Sequence, residues 1–495
     1  MSVIVVIGAG VGGLAAAMRL QHDGHQVTVL EQSDHVGGKL GVIERDGFVF
    51  DTGPSLVTMP QVLIDLFDDT GATIHDRLHL ERLPVAARYR FPDGTVLDLP
   101  DTIEQIPDAL DVTLGSGTGR QWSSFLQRAE SIWDITHGPF LESPMSLRTM
   151  LGGIATARQV RTVAPWRSLR GLGSDHLHDS RLAMLLDRYA TYTGSDPRRA
   201  PAALASVPWA EQKWGSWYVR GGLGRIASAM RDRFRELGGT LELGVEVAQV
   251  STDRHGRVDG VVLGDGSIRT ADLVVANADA RQVYVRLLPR APRLPRALLR
   301  RSTPSLSGFV LLLALDDPPA GRPHHNVLFA EDYDEEFDAV FGLNGPPRPV
   351  ARPTVYISAP DDPEIVPRPG TGAWFVLVNA PRHDPGRGVD WDAEGLAERY
   401  ADQIMAVMSD RGLDVRDRVR HRIVVSPADL ERRTMTPGGS IYGSSSNGPR
   451  AAFLRPRNTS PVPGLYLVGG SSHPGGGLPL VMLSAKIVAG LIAAR

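Results

Sequence analysis

Residues 3–20 read VIVVIGAGVGGLAAAMRL. The unbroken apolar run at 3–7 has the length of a buried parallel strand, and the alanine-rich stretch from Ala15 starts a helix. Gly8, Gly10, Gly12 and Gly13 therefore occupy the corner between them. At such a corner the first glycine permits the tight turn, Gly10 lets the backbone approach a pyrophosphate, and Gly13 lets helix and strand pack closely. The helix N-terminus adds free N–H groups and a partial positive charge. A second strand pattern, residues 26–30, ends in Glu31. A carboxylate there suits the two hydroxyls of an adenosine ribose and repels a 2′-phosphate, so the chain opens as a dinucleotide-binding unit that disfavours NADP.

The stretch after Glu31 separates two kinds of dinucleotide. Gly37, Gly38 and Lys39 follow almost at once, then Asp51-Thr52-Gly53-Pro54-Ser55, where a nicotinamide enzyme would enter another βα unit. A second glycine pair followed by a basic residue resembles the flavoprotein amine oxidase and carotenoid desaturase superfamily, in which this loop lies along ribose and pyrophosphate. The resemblance implies FAD, with Gly38, Lys39, Gly53, Pro54 and Ser55 among its contacts.

With 495 residues, 42% of them hydrophobic, the chain can bury a sizeable core in about two or three domains. A net charge of -3 argues against a nucleic-acid partner. Having no cysteine, the chain forms no disulfide, thiolate metal site or cysteinyl-flavin bond, and its redox chemistry rests on the cofactor. The first strand begins at residue 3 and no apolar run approaches the roughly 18 residues of a spanning helix. The expectation is a cytoplasmic protein whose membrane contact, if any, is peripheral. The sequence sets no oligomeric state.

The pattern along the chain divides the nucleotide fold into three pieces. Residues 1–75 are the first. Residues 76–100 read as a hairpin of the substrate domain, with Asp93-Gly94 at its turn. Residues 101–214 are mostly helical, a lid or membrane-facing insertion. Residues 215–285 form the second nucleotide piece, where a glycine pair leads into a helix and a strand at 245–250, followed by an Asp265-Gly266 hairpin and a buried strand into Asn277-Ala278-Asp279. Apolar runs from Gly308, Pro353 and Gly372, then a helix carrying Leu396, Ile404 and Met408 on one face, make residues 286–435 an antiparallel or mixed-sheet substrate domain. Residues 436–495 complete the nucleotide fold.

That last piece contains LYLVGGSSHPGGGLPLVMLSAK. A strand runs into Gly469 and Gly470, then His473-Pro474 and three glycines, then Pro479 at the start of a helix from Leu480 and Val481. Its N-terminus favours the negative charge of a reduced flavin, which places the acceptor ring here. From the Gly8 turn to the HPGGG loop the chain resembles the bacterial phytoene desaturase family of FAD-dependent carotenoid desaturases. HHNVLFAEDYDEEF at 324–337 is similar to that family's mid-chain signature. YGSSSN, AAFLRP and GGSSHPGGGLPLVMLSAK resemble its 1-hydroxycarotenoid 3,4-desaturase branch. The resemblance implies an α/β fold with a Rossmann-like FAD-binding domain, an antiparallel or mixed-sheet substrate domain and a helical lid. It also implies that Val247 presents its backbone to the adenine. Where phytoene desaturases carry an Asp and an Arg, in the segment aligned with 146–153, this chain has Thr149 and Gly152.

The expected reaction is desaturation of an apolar polyene by hydride transfer to flavin, held in a dry tunnel where alignment lowers the barrier. No side chain is assigned as catalytic. Alternatives are phytoene desaturation proper, an amine-oxidase-like activity, and a non-enzymatic flavin-bound lipid carrier. Neither His324-His325, as adjacent strand residues on opposite faces, nor any other set is read as a metal site. Ser444-Ser445-Ser446 is a loop lacking a nucleophile elbow. Finally, residues 147–173 carry Arg148, Arg158, Arg161, Arg167 and Arg170 with Trp166 and no acidic residue, a composition that suits an anionic bilayer surface.

Overall fold

A computed structural model describes residues 1–145, 156–290, 292–448 and 451–495. Thr149, Gly152 and Arg148 lie outside the described residues.

The apolar run at the start forms the strand Val3–Ile7, at the centre of a five-stranded sheet. Its order is Leu465–Leu467, Leu273–Ala276, Val3–Ile7, Gln26–Glu31, Thr240–Leu243, and every neighbouring pair is parallel. Ile7 pairs with both Leu30 and Ala276, and Ala276 pairs with Leu467, so four strands end level with one another. Both faces are buried, as a parallel sheet requires. On one face Ile4, Val6, Val27 and Val275 pack against the helices Val11–His22, Gly224–Glu236 and Leu478–Ala493. On the other, Val5, Ile7, Val274 and Leu467 meet Val250 and Val261 of the three-stranded sheet Val247–Thr252, Val258–Leu263, Ile268–Thr270.

Two local expectations change. The strand expected at 245–250 forms two residues later, as Val247–Thr252 in the three-stranded sheet, and a further strand that the sequence reading lacks, Thr240–Leu243, joins the parallel sheet. Gly244, at φ +71°, breaks the chain between them. His324 precedes the strand His325–Leu328 rather than alternating within it, and the two imidazoles are 4.4 Å apart instead of on opposite faces.

The second sheet has seven strands in the order Val419–Val425, Ser307–Asp316, Thr371–Ala380, Val355–Ser358, His325–Leu328, Val85–Arg90, Val96–Pro100. It is antiparallel except where His325–Leu328 runs parallel to Val85–Arg90. Strand alternation sends Phe309, Leu311 and Leu313 toward the helix Leu396–Asp410, and Val310 and Leu312 toward Phe48 and Phe50. The insertion, including Thr118–Thr136, Ser180–Thr191 and Ser206–Trp214, packs Trp122, Phe125 and Leu186 against Tyr89, Leu97 and Phe329 at the hairpin end of this sheet.

Candidate functional site

Where the parallel strands end, the chain leaves the sheet through Gly8, Glu31, Asn277 and Val468-Gly469, the position at which open α/β sheets bind ligands. A cavity of about 1140 Å³ opens there and extends to the seven-stranded sheet and the helical insertion. Among the sequence-predicted residues, Gly8, Gly10, Gly12, Glu31, Gly38, Lys39, Gly53, Pro54, Ser55, Val247, Gly469, Gly470, Leu480 and Val481 line it. Gly13 and His473 do not. Gly13 is under the turn, where a Cβ would collide with the Gly8 carbonyl oxygen, which suits its expected packing role. The His473 ring meets Phe140 edge-on at 5.2 Å, and its Nε2 lies 3.0 Å from the Ser143 carbonyl oxygen. Burial lowers its pKa to about 4, so it stays neutral.

Two helices begin at the cavity without a side-chain cap: Val11–His22 behind Gly10, and Leu478–Ala493 behind Gly477 with Pro479 in its first turn. Uncapped helix ends leave N–H groups and positive dipole charge for an anionic ligand. Asn277, absent from the sequence-predicted set, explains the glycine at the first end. A Cβ on Gly10 would stand 2.7 Å from its Nδ2. Its only sequence signal is its place at the end of a buried parallel strand.

The ionisable groups here are spent on backbone. Glu31 Oε2 accepts the Ala9 N–H at 2.7 Å, and Oε1 accepts the N–H and hydroxyl of Ser33 at 2.9 and 2.8 Å. A carboxylate has about four acceptor sites, which leaves capacity for a ribose. Asp51 accepts the N–H groups of Leu223 and Gly224 at 2.7 and 2.8 Å, and burial raises its carboxyl to about 6. The Lys39 ammonium reaches across to the carbonyls of Ser440 and Ile441 at 2.9 and 2.5 Å. Burial lowers it to about 8 against the opposing charge of Asp279. Arg455, also missed in the sequence, donates to the carbonyls of Tyr442, Ser444 and Gly470. Together these two cations tie the C-terminal loops to the glycine turns.

The rest of the lining is mostly apolar: Val310, Phe375 and Leu377 from the sheet, Phe140, Leu141 and Leu204 from the insertion. The Ser444 to Asn447 loop is partly tied down, with the Asn447 amide nitrogen buried and without a partner among the described residues. Arg455 takes the Ser444 carbonyl, and Asn447 Oδ1 accepts the Asp196 N–H at 2.9 Å. Among the described residues one metal-capable set converges, His383, Asp390 and Asp392, and none of the three lines the cavity.

A dinucleotide flavin fits these residues. Two uncapped helix ends open into one space, the glycine turn leaves no room for a Cβ beside Asn277, and the volume exceeds the roughly 300–1,000 Å³ of ordinary small-molecule pockets.

The chain matches the family described as flavin containing amine oxidoreductase over residues 11–493. It is 33% identical to a 4,4'-diapolycopene oxygenase of Methylomonas sp, over 98% of this chain and 97% of that protein. It is 34% identical to a hydroxyneurosporene desaturase of Rubrivivax gelatinosus, over 98% and 92%. With a 1-hydroxycarotenoid 3,4-desaturase of Flavobacterium sp. (strain P99-3) it shares 31% identity over 99% of each. An oxidoreductase of Methanosarcina mazei, 18% identical with a TM-score of 0.66 over 100% of both chains, has the same fold. The chain therefore belongs to the flavin containing amine oxidoreductase family and is an FAD-dependent oxidoreductase.

Proposed function

We propose that this member of the flavin containing amine oxidoreductase family is a carotenoid desaturase that acts near the end of an already conjugated, 1-hydroxylated polyene, at the 3,4 bond. One observation carries the reading: a single cavity joins two uncapped helix ends to a mostly apolar wall supplied by the second sheet and the helical insertion. Two relatives sharing about a third of their residues along nearly their whole length are desaturases of hydroxylated carotenoids by name.

FAD, when bound, supplies a hydride acceptor. Gly8 to Gly12 and Glu31 would hold its pyrophosphate and adenosine ribose, Val247 its adenine, and the Gly469 to Val481 end its ring. Val310, Phe375 and Leu377 would exclude water and hold the polyene in one alignment along the cavity. In a conjugated substrate, positive charge developing at the reacting carbon spreads along the chain, so alignment without a strong base is sufficient. The adjacent carbon gives its proton to water at the opening of the cavity, so the substrate loses a hydride and a proton, two hydrogens in all.

The substrate comes from a bilayer, and we propose peripheral contact through the insertion. Its basic face is narrower than the composition suggests. Arg167 pairs with Asp175, and Arg170 with Asp187 and Asp334, which leaves exposed Arg158, Arg161 and Trp166 as the docking patch. No helix among the described residues is long and apolar enough to cross a membrane.

The test supplies purified, FAD-loaded protein with phytoene or a 1-hydroxylated carotenoid in liposomes, followed by chromatography, absorption spectra and mass. The expected product of the hydroxylated substrate is two hydrogens lighter and red-shifted. Conversion of phytoene alone overturns the subclass. A product heavier by oxygen moves the chain toward the activity named for the Methylomonas relative.

A further inference from the structure

Arg188 is only 8% exposed, and what it shows faces the cavity. Among the described residues its guanidinium forms no salt bridge. It makes a single hydrogen bond, to the Tyr89 hydroxyl at 3.3 Å. It is instead enclosed by rings, with its central carbon 5.1 Å from the Tyr192 ring centroid, 5.6 Å from that of Tyr89 and 5.7 Å from that of Tyr356. A guanidinium has five donors, and burying it with most of them unused is costly. Beside the apolar walls at this end of the cavity, such a group is explained by a ligand atom that accepts from it. Its neighbours come from the helical insertion and the seven-stranded sheet rather than from the nucleotide sheet, so the ligand is the substrate and not the dinucleotide.

The surroundings narrow the chemistry. Glu211, 5% exposed and in the same lining, receives the Tyr189 hydroxyl at 2.8 Å and lies within reach of Tyr192. Burial pushes its carboxyl up while the Arg188 charge pulls it down. The cation thus has a counter-charge nearby, and an added carboxylate would give the cluster excess negative charge. Tyr356 extends the polar rim through hydrogen bonds to Ser55 at 2.7 Å and His325 at 2.8 Å.

We infer that Arg188 and Tyr192 form the seat for a neutral, oxygen-bearing end group of the polyene, a hydroxyl that accepts from the guanidinium and donates to the Tyr192–Glu211 side. The inference rests on the proposed substrate and adds the side chains that select it. A pure hydrocarbon end would leave most of the guanidinium donors without an acceptor, and a site built around a substrate oxygen rejects the analogue lacking it more strongly than an apolar pocket rejects an extra hydroxyl.

The FAD-loaded protein is given three polyenes of equal conjugation in phosphatidylcholine vesicles, ended by a hydroxyl, a hydrocarbon or a carboxylate, and kcat/KM and polyene binding are measured for each. The wild type is expected to favour the hydroxyl end by at least about tenfold. Arg188→Met should bring the hydroxyl-to-hydrocarbon ratio to about one with the flavin absorption unchanged. If Arg188→Met loses flavin or fold, Arg188→Lys and Tyr192→Phe report the same ratio and should fall between the two. Unchanged discrimination in all variants overturns the seat and leaves the substrate reading standing. A wild type that does not prefer the hydroxyl end over the hydrocarbon overturns both. Preference for the carboxylate end overturns the neutral class.

Discussion

The two ends of the cavity are built from different materials. At the nucleotide end the contacts are backbone: glycine turns, uncapped helix ends and strand termini, with Glu31, Asp51, Lys39 and Arg455 all spent on N–H or carbonyl groups. At the substrate end the polar contacts are side chains, Arg188 and Tyr192 from one helix, Glu211 from another and Tyr356 from the second sheet, beside apolar walls. A backbone site resists substitution because adding atoms obstructs it. A side-chain site changes its ligand with each replacement.

The largest expected effect is at the nucleotide end. In Gly10→Val, side-chain atoms enter the space held by Asn277 Nδ2, 2.7 Å from where the Cβ would stand, and obstruct the approach to the turn. The purified variant should be colourless, read as flavin per protein by absorption. Full flavin occupancy would break the contrast at its root.

Glu31→Lys removes the acceptor for the Ala9 N–H and the ribose and adds a cation beside an uncapped helix end. With hydrogen bonds to a charged group worth about 1.5–3 kcal/mol, FAD affinity should fall by one to two orders of magnitude in an equilibrium titration. Glu31→Gln should lose less. Equal losses would mean that the charge itself contributes nothing.

Asp51 gives the contrast a pH signature. Its carboxyl titrates near 6 in the fold against an ordinary 3.8. Between those values the folded chain holds a proton that the unfolded chain has released, so this group's contribution to stability falls as pH rises from about 4 to about 6. The effect is on the order of 3 kcal/mol, with a slope of at most about 1.4 kcal/mol per pH unit. Denaturant midpoints across that window should flatten in Asp51→Asn, and an unchanged slope would remove the group from the account.

The smallest effect concerns the outer surface of the insertion. Arg158→Gln and Arg161→Gln should each weaken co-sedimentation with anionic liposomes by about 1 kcal/mol, and Arg167→Gln, whose side chain is paired with Asp175, by less. Equal losses at all three positions would show that net charge rather than an exposed patch governs docking.

Much of the nucleotide end could be read from local sequence, because each part is a contiguous signal. The run from Val3 to Leu20 specifies strand, turn and helix within one stretch, and Pro479 after three glycines marks a helix start. The hairpin around Asp93-Gly94 is equally local. The strand Thr240–Leu243, just before the expected one, has no such local signal: the β-rich segment is divided between two sheets, and only the partners Gln26–Glu31 and Val258–Leu263 reveal the division.

What the sequence by itself determined is therefore the dinucleotide turn and much of the strand-and-helix content, since these depend on the spacing of neighbours and on backbone geometry, while the FAD-dependent family followed from resemblance. Only the tertiary structure decided that Asn277 closes over Gly10, that Lys39 reaches Ser440 and Ile441, that His473 turns to Ser143, and that Arg188 stands among Tyr89, Tyr192 and Tyr356. Most of those partners are tens to hundreds of residues apart in the chain. No spacing rule links them, because their contact is set by sheet order and by the packing of the insertion, which are properties of the whole fold.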